Sequence, residues 1–144
     1  MEYYHLHWPR TEAFFSGPRI LSIRKCERPS FTYTEAEMYV MMAFNIIKTR
    51  RNSPKFLTAI LNSKLMEFWF RTQGKLQGSN FQIDSEPLLA APLLRVHDPK
   101  PLEALVDGIL RGKRKKQDTS ALESEIDVLV SKLYGLSWEQ AKVV

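Results

Sequence analysis

The sequence predicts an α+β fold, in which a small mixed β-sheet with a central helix is followed by a C-terminal helical pair. Residues 18–49 are rich in β-branched and aromatic residues, the apolar residues change to helical spacing after Ser53, and two amphipathic stripes follow the proline-containing break at 97–101. We therefore expect a domain at residues 1–98 and a helical tail at residues 99–144.

Three strands are predicted before residue 50. The segment 18–26 follows the turn signal Gly17-Pro18 and alternates isoleucine with basic residues, and FTYTE at 31–35 is rich in aromatic and β-branched residues. The segment MYVMMAFNIIKT at 38–49 has the composition of one more strand, bent or interrupted along its length.

A single central helix is predicted from Pro54 to about Thr72. Ser53 suits an N-cap, proline suits the first helical position, and the apolar residues between 57 and 69 keep helical spacing. The stretch RTQGKLQGSNFQ at 71–82 contains two glycines and many polar side chains, and it is therefore predicted to be a loop. A short apolar element, LLAAPLLRV, follows Pro87.

The tail is predicted to form two helices, because its apolar residues fall into two stripes at helical spacing. Ser120 and Glu123 have the spacing of a capping box at the start of the second helix, and Gly135 is a suitable stop signal. The basic run at 111–117 lies at the end of the first helix, where cations are favoured by the helix dipole and solvent exposure is the simpler interpretation.

The net charge of +5 is unevenly distributed. Residues 19–82 contain eleven Lys and Arg against four Asp and Glu, whereas residues 101–144 contain seven of each. A concentrated basic region is what a polyanionic partner requires. The sequence has no apolar run long enough for a membrane span and no signal-peptide pattern at its N-terminus, so we expect a cytoplasmic protein without a membrane partner.

No catalytic or metal-binding set emerges from the residues. His5 and His7 have the spacing of a metal pair on a strand, but no Cys or His cluster accompanies them. Asp84 and Glu86 lack the lysine and further carboxylate of a metal-dependent nuclease, and no Ser, Cys or His constellation suits nucleophilic catalysis. We therefore expect no catalytic residue, no metal and no cofactor in this chain.

Several motifs resemble one known family. LTAILNSKLMEFWFRTQG followed by SNFQIDSEPLLAAPLLR, the opening PRILSIRK and the ending LESEIDVLVSKLYGLSWEQ occur in an order and spacing similar to those of the TaqI-like C-terminal specificity domain of type II restriction-modification methyltransferases. That fold is related to the target-recognition domains of type I specificity subunits. The resemblance extends from about Trp8 to about Gln140.

The resemblance implies a domain that reads a DNA sequence and carries no catalysis. Family members follow a methyltransferase domain, whose Asn-Pro-Pro-Tyr type motif and S-adenosylmethionine site are absent from this sequence. We therefore expect duplex DNA and an upstream methyltransferase domain of the same protein as partners. The parent enzyme would be an adenine methyltransferase or a combined restriction-modification enzyme that binds S-adenosylmethionine and flips the target adenine.

The candidate DNA-binding residues form two groups. The stretch 71–82 combines cations with amide side chains that suit base edges, and its glycines allow close backbone approach. Its candidates are Arg71, Gln73, Lys75, Gln77, Asn80 and Gln82. The connections before it offer cations for phosphate contacts. These candidates are Arg24, Lys25, Arg28, Lys48, Arg50 and Arg51.

Two other classes of function remain open at this stage. A protein-protein interaction module could use the apolar stripes of the C-terminal helices to bind another subunit, with the basic region incidental. An independent enzyme is the other class, and the absence of a recognisable nucleotide-binding or catalytic set in the sequence argues against it.

Overall fold

The structure, a computed structural model, describes residues 11–143, apart from the side chains of residues 81 and 138. A 3₁₀ turn at Glu12–Phe15 precedes the regular elements. The strands are β1 (Arg19–Ile23), β2 (Lys25–Cys26), β3 (Phe31–Thr34), β4 (Phe44–Ile47), β5 (Lys75–Gln77) and β6 (Asn80–Gln82). The helices are α1 (Pro54–Asn62), α2 (Lys64–Gln73), α3 (Ser85–Leu89), α4 (Lys100–Arg114), α5 (Ser120–Leu133) and α6 (Trp138–Val143).

The strands form two small sheets, with strand orders β3-β1-β4 and β2-β6-β5. The chain passes from β1 into β2 through Arg24, so one segment contributes to both sheets. The α+β class is confirmed. Every strand pairing among the described residues is antiparallel, where the sequence suggested a mixed sheet. Short links account for the pairings of β1 with β3 and of β5 with β6, because a parallel neighbour usually needs a crossover of a dozen or more residues.

Two predicted strands are shorter or more interrupted than the sequence suggested. The segment 18–26 is divided at Arg24, where the chain passes from one sheet to the other. The Arg24 N–H donates to the Ala43 carbonyl at 2.9 Å in register with the β1–β4 ladder, and its carbonyl accepts from the Ile83 N–H at 2.8 Å in register with the β2–β6 ladder. Of the segment 38–49, only Phe44–Ile47 is a strand, and it pairs with Ile20–Ile23 of β1. Residues 38–42 are left outside the sheet, and Met41 and Met42 are exposed.

The central helix is present but is divided at Ser63, so the prediction of one continuous helix was wrong. Ser63 has extended backbone angles, φ −68° and ψ 154°. Its hydroxyl donates to the Ile60 carbonyl at 2.7 Å, and its Oγ accepts from the Met66 N–H at 3.3 Å. The same side chain therefore helps to end α1 and caps the start of α2.

Asn62 explains why the chain departs from the helix at this point. Its Oδ1 accepts from the Phe31 N–H at 2.9 Å, and its Nδ2 donates to the Phe31 carbonyl at 2.7 Å. Phe31 lies on β3, at the edge of the first sheet, and Asn62 supplies the partner that a further strand would have given. The Leu-Asn-Ser motif at 61–63 thus buries Leu61, joins helix to sheet and caps α2.

The two helices predicted in the tail are present at α4 and α5, and they pack against α1. Their inward residues share one hydrophobic cluster with both sheets and with the central helices. This cluster includes Ile20, Phe31, Phe56, Leu57, Ile60, Phe70, Ile83, Leu102, Val106, Ile126 and Val130. Within the described part of the chain, no helix is long and apolar enough to cross a membrane.

The ends of α5 partly follow the sequence signals. Gly135 adopts φ +66°, and the Leu136 N–H donates to the Ser131 carbonyl at 3.0 Å, which is a Schellman arrangement. The predicted capping box between Ser120 and Glu123 was wrong, because the N-cap residue makes no side-chain hydrogen bond to the backbone of the first turn. Thr119 is the N-cap, and its hydroxyl donates to the Glu123 carboxylate at 2.7 Å.

Candidate functional site

Residues 71–82 form the end of a helix and a β-hairpin, so the prediction of a loop was wrong. The stretch contains the last turn of α2, then β5 and β6, joined by the two-residue turn Gly78-Ser79. Gly78 adopts φ +65°, the left-handed conformation that a two-residue hairpin turn requires and that glycine adopts without strain. The polar composition concealed this hairpin, because strand prediction depends largely on apolar alternation.

The second sheet brings five of the predicted site residues onto one face. Gln82 on β6 stands opposite Lys25 on β2 and opposite Lys75 on β5. Gln77 stands opposite Asn80 one pleat further along the hairpin. Directly opposed residues and residues two apart share a face of a sheet. We call this surface the polar face: Lys25, Lys75, Gln77, Asn80 and Gln82.

The polar face is available for binding. Lys25, Lys75, Gln77 and Asn80 are exposed, and none of the four makes a side-chain hydrogen bond or ion pair with another described residue. Behind the sheet, Cys26 packs against the hydrophobic cluster, and burial raises the pKa of its thiol. Four of the five side chains of the polar face are therefore uncommitted, and the core supports the sheet on its β2 side, whereas Leu76 on the back of β5 is exposed.

The polar face is attached to the first sheet through Ile83, which is fully buried. The Ile83 N–H donates to the Arg24 carbonyl at 2.8 Å. Its carbonyl accepts from Asn45 Nδ2 on β4 at 3.0 Å. The bond to Asn45 ties Ile83 to β4, and the bond to Arg24 continues the β2–β6 register as far as the residue that links β1 with β2, so the hairpin is held in a fixed position relative to the first sheet.

Gly74 permits a close approach within the protein, between the end of α2 and β6. A Cβ at this position would lie 2.6 Å from the Phe70 carbonyl oxygen and 3.2 Å from the Gln82 carbonyl oxygen. The backbone of Gly74 is extended, so the space between these two carbonyls, and not an unusual φ, is the requirement. The close backbone approach allowed by this glycine is thus seen between α2 and the hairpin.

Replacing Gly74 by alanine is expected to destabilise the protein by about 1–3 kcal/mol, because both obstructing atoms belong to the backbone and the hairpin must shift. Chemical denaturation would measure the change. Gly108→Ala is the control, since its Cβ would meet only the flexible Leu122 side chain at 3.2 Å, and a change below about 1 kcal/mol is expected. Equal stabilities of wild type and Gly74→Ala would contradict the proposed requirement.

Three side chains are linked at the edge of the polar face. One Arg24 guanidinium nitrogen lies 2.6 Å from Asp84 Oδ1, and Gln82 Nε2 lies 2.8 Å from each oxygen of the same carboxylate. Hydrogen bonds from Arg24 and then from Gln82 lower the pKa of Asp84, and the charge of nearby Lys75 acts in the same direction. The sequence suggested Asp84 only as a candidate nuclease residue. Its ion pair with Arg24, sixty positions away in the chain, was not predicted.

Arg28 and Arg71 converge on one carboxylate. Arg28 Nε lies 3.1 Å from Glu67, and an Arg71 guanidinium nitrogen lies 2.8 Å from the other oxygen of the same side chain. The Glu67 side chain on α2 is only 20% exposed, and its bond to Arg28 connects α2 to the segment that follows β2. One carboxylate therefore engages both guanidinium groups, and the three side chains together keep one positive charge.

The remaining basic candidates lie at the other end of β1. Ile23 pairs with Phe44 and Ile20 pairs with Ile47, so the connection after β4 is remote from Arg24. There the Lys48 ammonium donates to the Ala13 and Ser16 carbonyls at 2.6 and 2.8 Å. Arg50 and Arg51 are exposed beside an open cleft of about 1150 Å³. Their side chains make no hydrogen bond or ion pair with residues of the described range.

Gln73 belongs to α2 and not to the hairpin that carries the other amide candidates. It is the last residue of α2 and is exposed, but it does not belong to the sheet that carries the polar face. Sequence proximity to Gln77 therefore does not place it on the same surface.

The described residues contain no group of three or more His, Cys, Asp or Glu side chains that could hold a metal ion. His5 and His7, raised by the sequence as a possible pair, lie outside the described residues. Asp84 is bonded to Arg24 and Gln82, and Glu86 lies in the first turn of α3.

Residues 2–92 match the family model described as the TaqI-like C-terminal specificity domain, which is well over half of the 144 residues. The chain belongs to this family. The match includes both sheets, the central helices and α3, and thus the whole polar face. Specificity domains of this kind are associated with DNA recognition in restriction-modification proteins and are typically non-catalytic.

No curated protein matches the chain. The family match ends at Pro92, before α4, so the resemblance of the ending LESEIDVLVSKLYGLSWEQ to this TaqI-like family stays a prediction.

Proposed function

We propose that this TaqI-like specificity domain binds duplex DNA and that its polar face recognises base edges in the major groove. The observation that carries the proposal is the placement of two lysines and three amide side chains on one exposed face of a three-stranded sheet. Amide side chains form paired hydrogen bonds with base edges, and lysines bind phosphates or guanine acceptors.

The dimensions of the sheet suit this role. Adjacent strands are about 4.8 Å apart, so the three strands span roughly 10 Å, while the major groove is about 12 Å wide. Lys25 and Lys75 occupy the two outer strands, and Gln82 and Asn80 occupy the middle strand. The cations would then flank the groove while the central amides face the bases.

Arg50 and Arg51 are proposed as contacts to the DNA backbone. They are exposed and carry uncompensated charge, and cations that neutralise phosphates provide most sequence-independent affinity. Arg24, Arg28, Lys48 and Arg71 are each engaged within the protein. Their proposed contribution is to position neighbouring groups and to add to the electrostatic field.

The domain is further proposed to serve an adenine methyltransferase or a combined restriction-modification enzyme in the cytoplasm. A methyltransferase domain of the same protein would bind S-adenosylmethionine and perform base flipping, while the polar face would select the site. Support for this assignment comes from the family of specificity domains to which the chain belongs.

The packing of the tail weighs against the alternative of a protein-protein interaction module. Leu102 and Val106 of α4, with Ile126 and Val130 of α5, are buried in the chain's own hydrophobic cluster. The apolar stripes that suggested a partner subunit are thus used largely within this chain.

Binding of the wild type to a fluorescent duplex should weaken as the salt concentration rises. The double variant with Lys25→Gln and Lys75→Gln should have a slope of log K against log salt that is smaller by about 1.8, since each phosphate contact contributes about 0.9. Fluorescence anisotropy over a salt series would measure both quantities. The proposal assigns these two lysines to the flanks of the DNA-binding surface.

The matched control is Lys115→Gln combined with Lys132→Gln, which removes the same charge from exposed positions at the end of α4 and on α5. Its slope should equal that of the wild type. Absent or salt-independent binding by the wild type would refute the proposed function, and equal loss of slope in both double variants would refute the assignment of the polar face.

A further inference from the structure

The orientation of the Gln82 amide is fixed by its neighbour. Gln82 Nε2 lies 2.8 Å from Oδ1 and 2.8 Å from Oδ2 of Asp84. An ionised carboxylate accepts hydrogen bonds and donates none, so the group that faces it must be the amide nitrogen. The Gln82 oxygen therefore occupies the other arm of the planar amide.

Arg24 stabilises the state of Asp84 on which this orientation depends. Its guanidinium lies 2.6 Å from Asp84 Oδ1, and a second nitrogen of the same group lies 3.5 Å from the Met42 carbonyl. Hydrogen bonding by Arg24 is the largest cause of the lowered pKa of Asp84, so the carboxylate is ionised and acceptor-only at neutral pH.

The Gln82 oxygen is left available. It accepts no hydrogen bond from a described residue, and Gln82 lies in the middle strand of the polar face, between Lys25 and Lys75. Gln77 and Asn80, by contrast, have no partner of this kind and can rotate their amides to suit either a donor or an acceptor. One amide of the polar face is therefore fixed while its two neighbours are adjustable.

We propose that Asp84, held by Arg24, is a positioning residue that presents Gln82 to DNA as a hydrogen-bond acceptor. The base that Gln82 reads must then offer a donor in the major groove, which means the N6 amino group of adenine or the N4 amino group of cytosine. Guanine and thymine present acceptors at the corresponding positions and are disfavoured. This inference rests on the proposed function and adds the chemical class of one recognised base.

Selection from a pool of randomised duplexes, followed by sequencing, would test the inference with the full chain. Gln82→Ala identifies the base position that Gln82 reads, because the preference at that position should disappear. In the wild type this position should favour adenine or cytosine by about tenfold, in keeping with 1–3 kcal/mol for a good base contact.

Asp84→Asn should relax the preference at that same position to within about threefold, because an asparagine amide can accept or donate and no longer fixes Gln82. Preferences at other positions should be retained, which a general loss of structure would not produce. Since Asp84→Asn also frees the charge of Arg24, a variant with Asp84→Asn and Arg24→Gln should show the same relaxed position at unchanged net charge.

The outcomes are distinct. A preference for guanine or thymine at the Gln82 position would overturn the acceptor assignment, and an unchanged preference in Asp84→Asn would overturn the positioning role. Either result would leave DNA recognition itself intact. A pool with no enriched sequence would overturn both the proposed function and this inference. Circular dichroism melting of each variant would verify that it folds. If a variant proved unstable, a ¹⁵N-resolved spectrum would still report whether the Gln82 side-chain amide has lost its hydrogen bond to residue 84.

Discussion

Phe70→Ala is expected to lower the free energy of unfolding by about 3–5 kcal/mol, the usual cost of truncating a buried phenylalanine. The Phe70 side chain is fully buried on α2. Its ring stacks on that of Phe31 with centroids 5.6 Å apart and an interplanar angle of 29°. Because Phe31 lies on β3, the substitution would leave a cavity between the central helix and the first sheet. Urea denaturation would measure the loss.

Phe68→Ala provides a control in the same helix. Phe68 precedes Phe70 by two residues and is 45% exposed, so it loses little burial when truncated. A change below about 1 kcal/mol is expected, and helix propensity is affected in the same way at both positions. Similar losses at the two positions would show that the packing between α2 and β3 does not have the importance assigned to it.

The aromatic group at 68–70 shows how far periodicity predicts burial. Helical spacing requires that one of three consecutive aromatic residues face outward, and Phe68 does so. The same spacing continues unbroken across Ser63, so it could not reveal that the helix is divided there. The division depends on Asn62 bonding to Phe31, a contact across 31 positions that no local pattern encodes.

The polar face shows a comparable limit. Composition drew attention to the right segment, because four amide side chains are concentrated in residues 71–82. Their common orientation depends on the pairing of β6 with β2, which joins positions almost sixty residues apart. Without that register, Lys25 appeared to be one more basic residue in a connection, and Gln73 appeared equivalent to Gln77.

Charge counts alone overestimated how many cations are free. Arg28 and Arg71 share Glu67, and Arg24 is paired with Asp84. These ion pairs join residues that are mostly distant in the sequence, so the sequence could not separate engaged cations from available ones.

The apolar stripes of the tail helices were predicted well because a helix of fourteen or fifteen residues repeats its apolar pattern several times.

Gln77→Ala and Asn80→Ala are each expected to reduce the preference for the selected duplex over single-mismatch duplexes by about 5- to 150-fold, which corresponds to the loss of a paired contact of 1–3 kcal/mol. The two residues stand opposite each other on the polar face, and neither amide is engaged elsewhere in the described structure. Competition binding with the selected duplex and its single-mismatch derivatives would measure the ratio.

Gln73→Ala is the matched control for these substitutions. It removes the same type of side chain from an exposed position in the same stretch of sequence, but Gln73 ends α2 and lies off the sheet. The ratio of affinities should stay within about twofold of the wild type, because a surface change away from specific contacts has little effect. An equal loss in Gln73→Ala would mean that the polar face is not what discriminates.

Arg50→Ala and Arg51→Ala should change binding in a different way, because a phosphate contact carries no sequence information directly. Both arginines are exposed at the end of the first sheet that is remote from Arg24 and the polar face. Each substitution should weaken binding to selected and mismatched duplexes alike and reduce the salt slope by about 0.9. Gln77→Ala, which removes no charge, should leave that slope unchanged. Two outcomes would contradict this division between base recognition by the hairpin amides and general affinity from the β4–α1 connection. The amide variants could weaken binding to all duplexes equally, or the arginine variants could alter the ratio of affinities between duplexes.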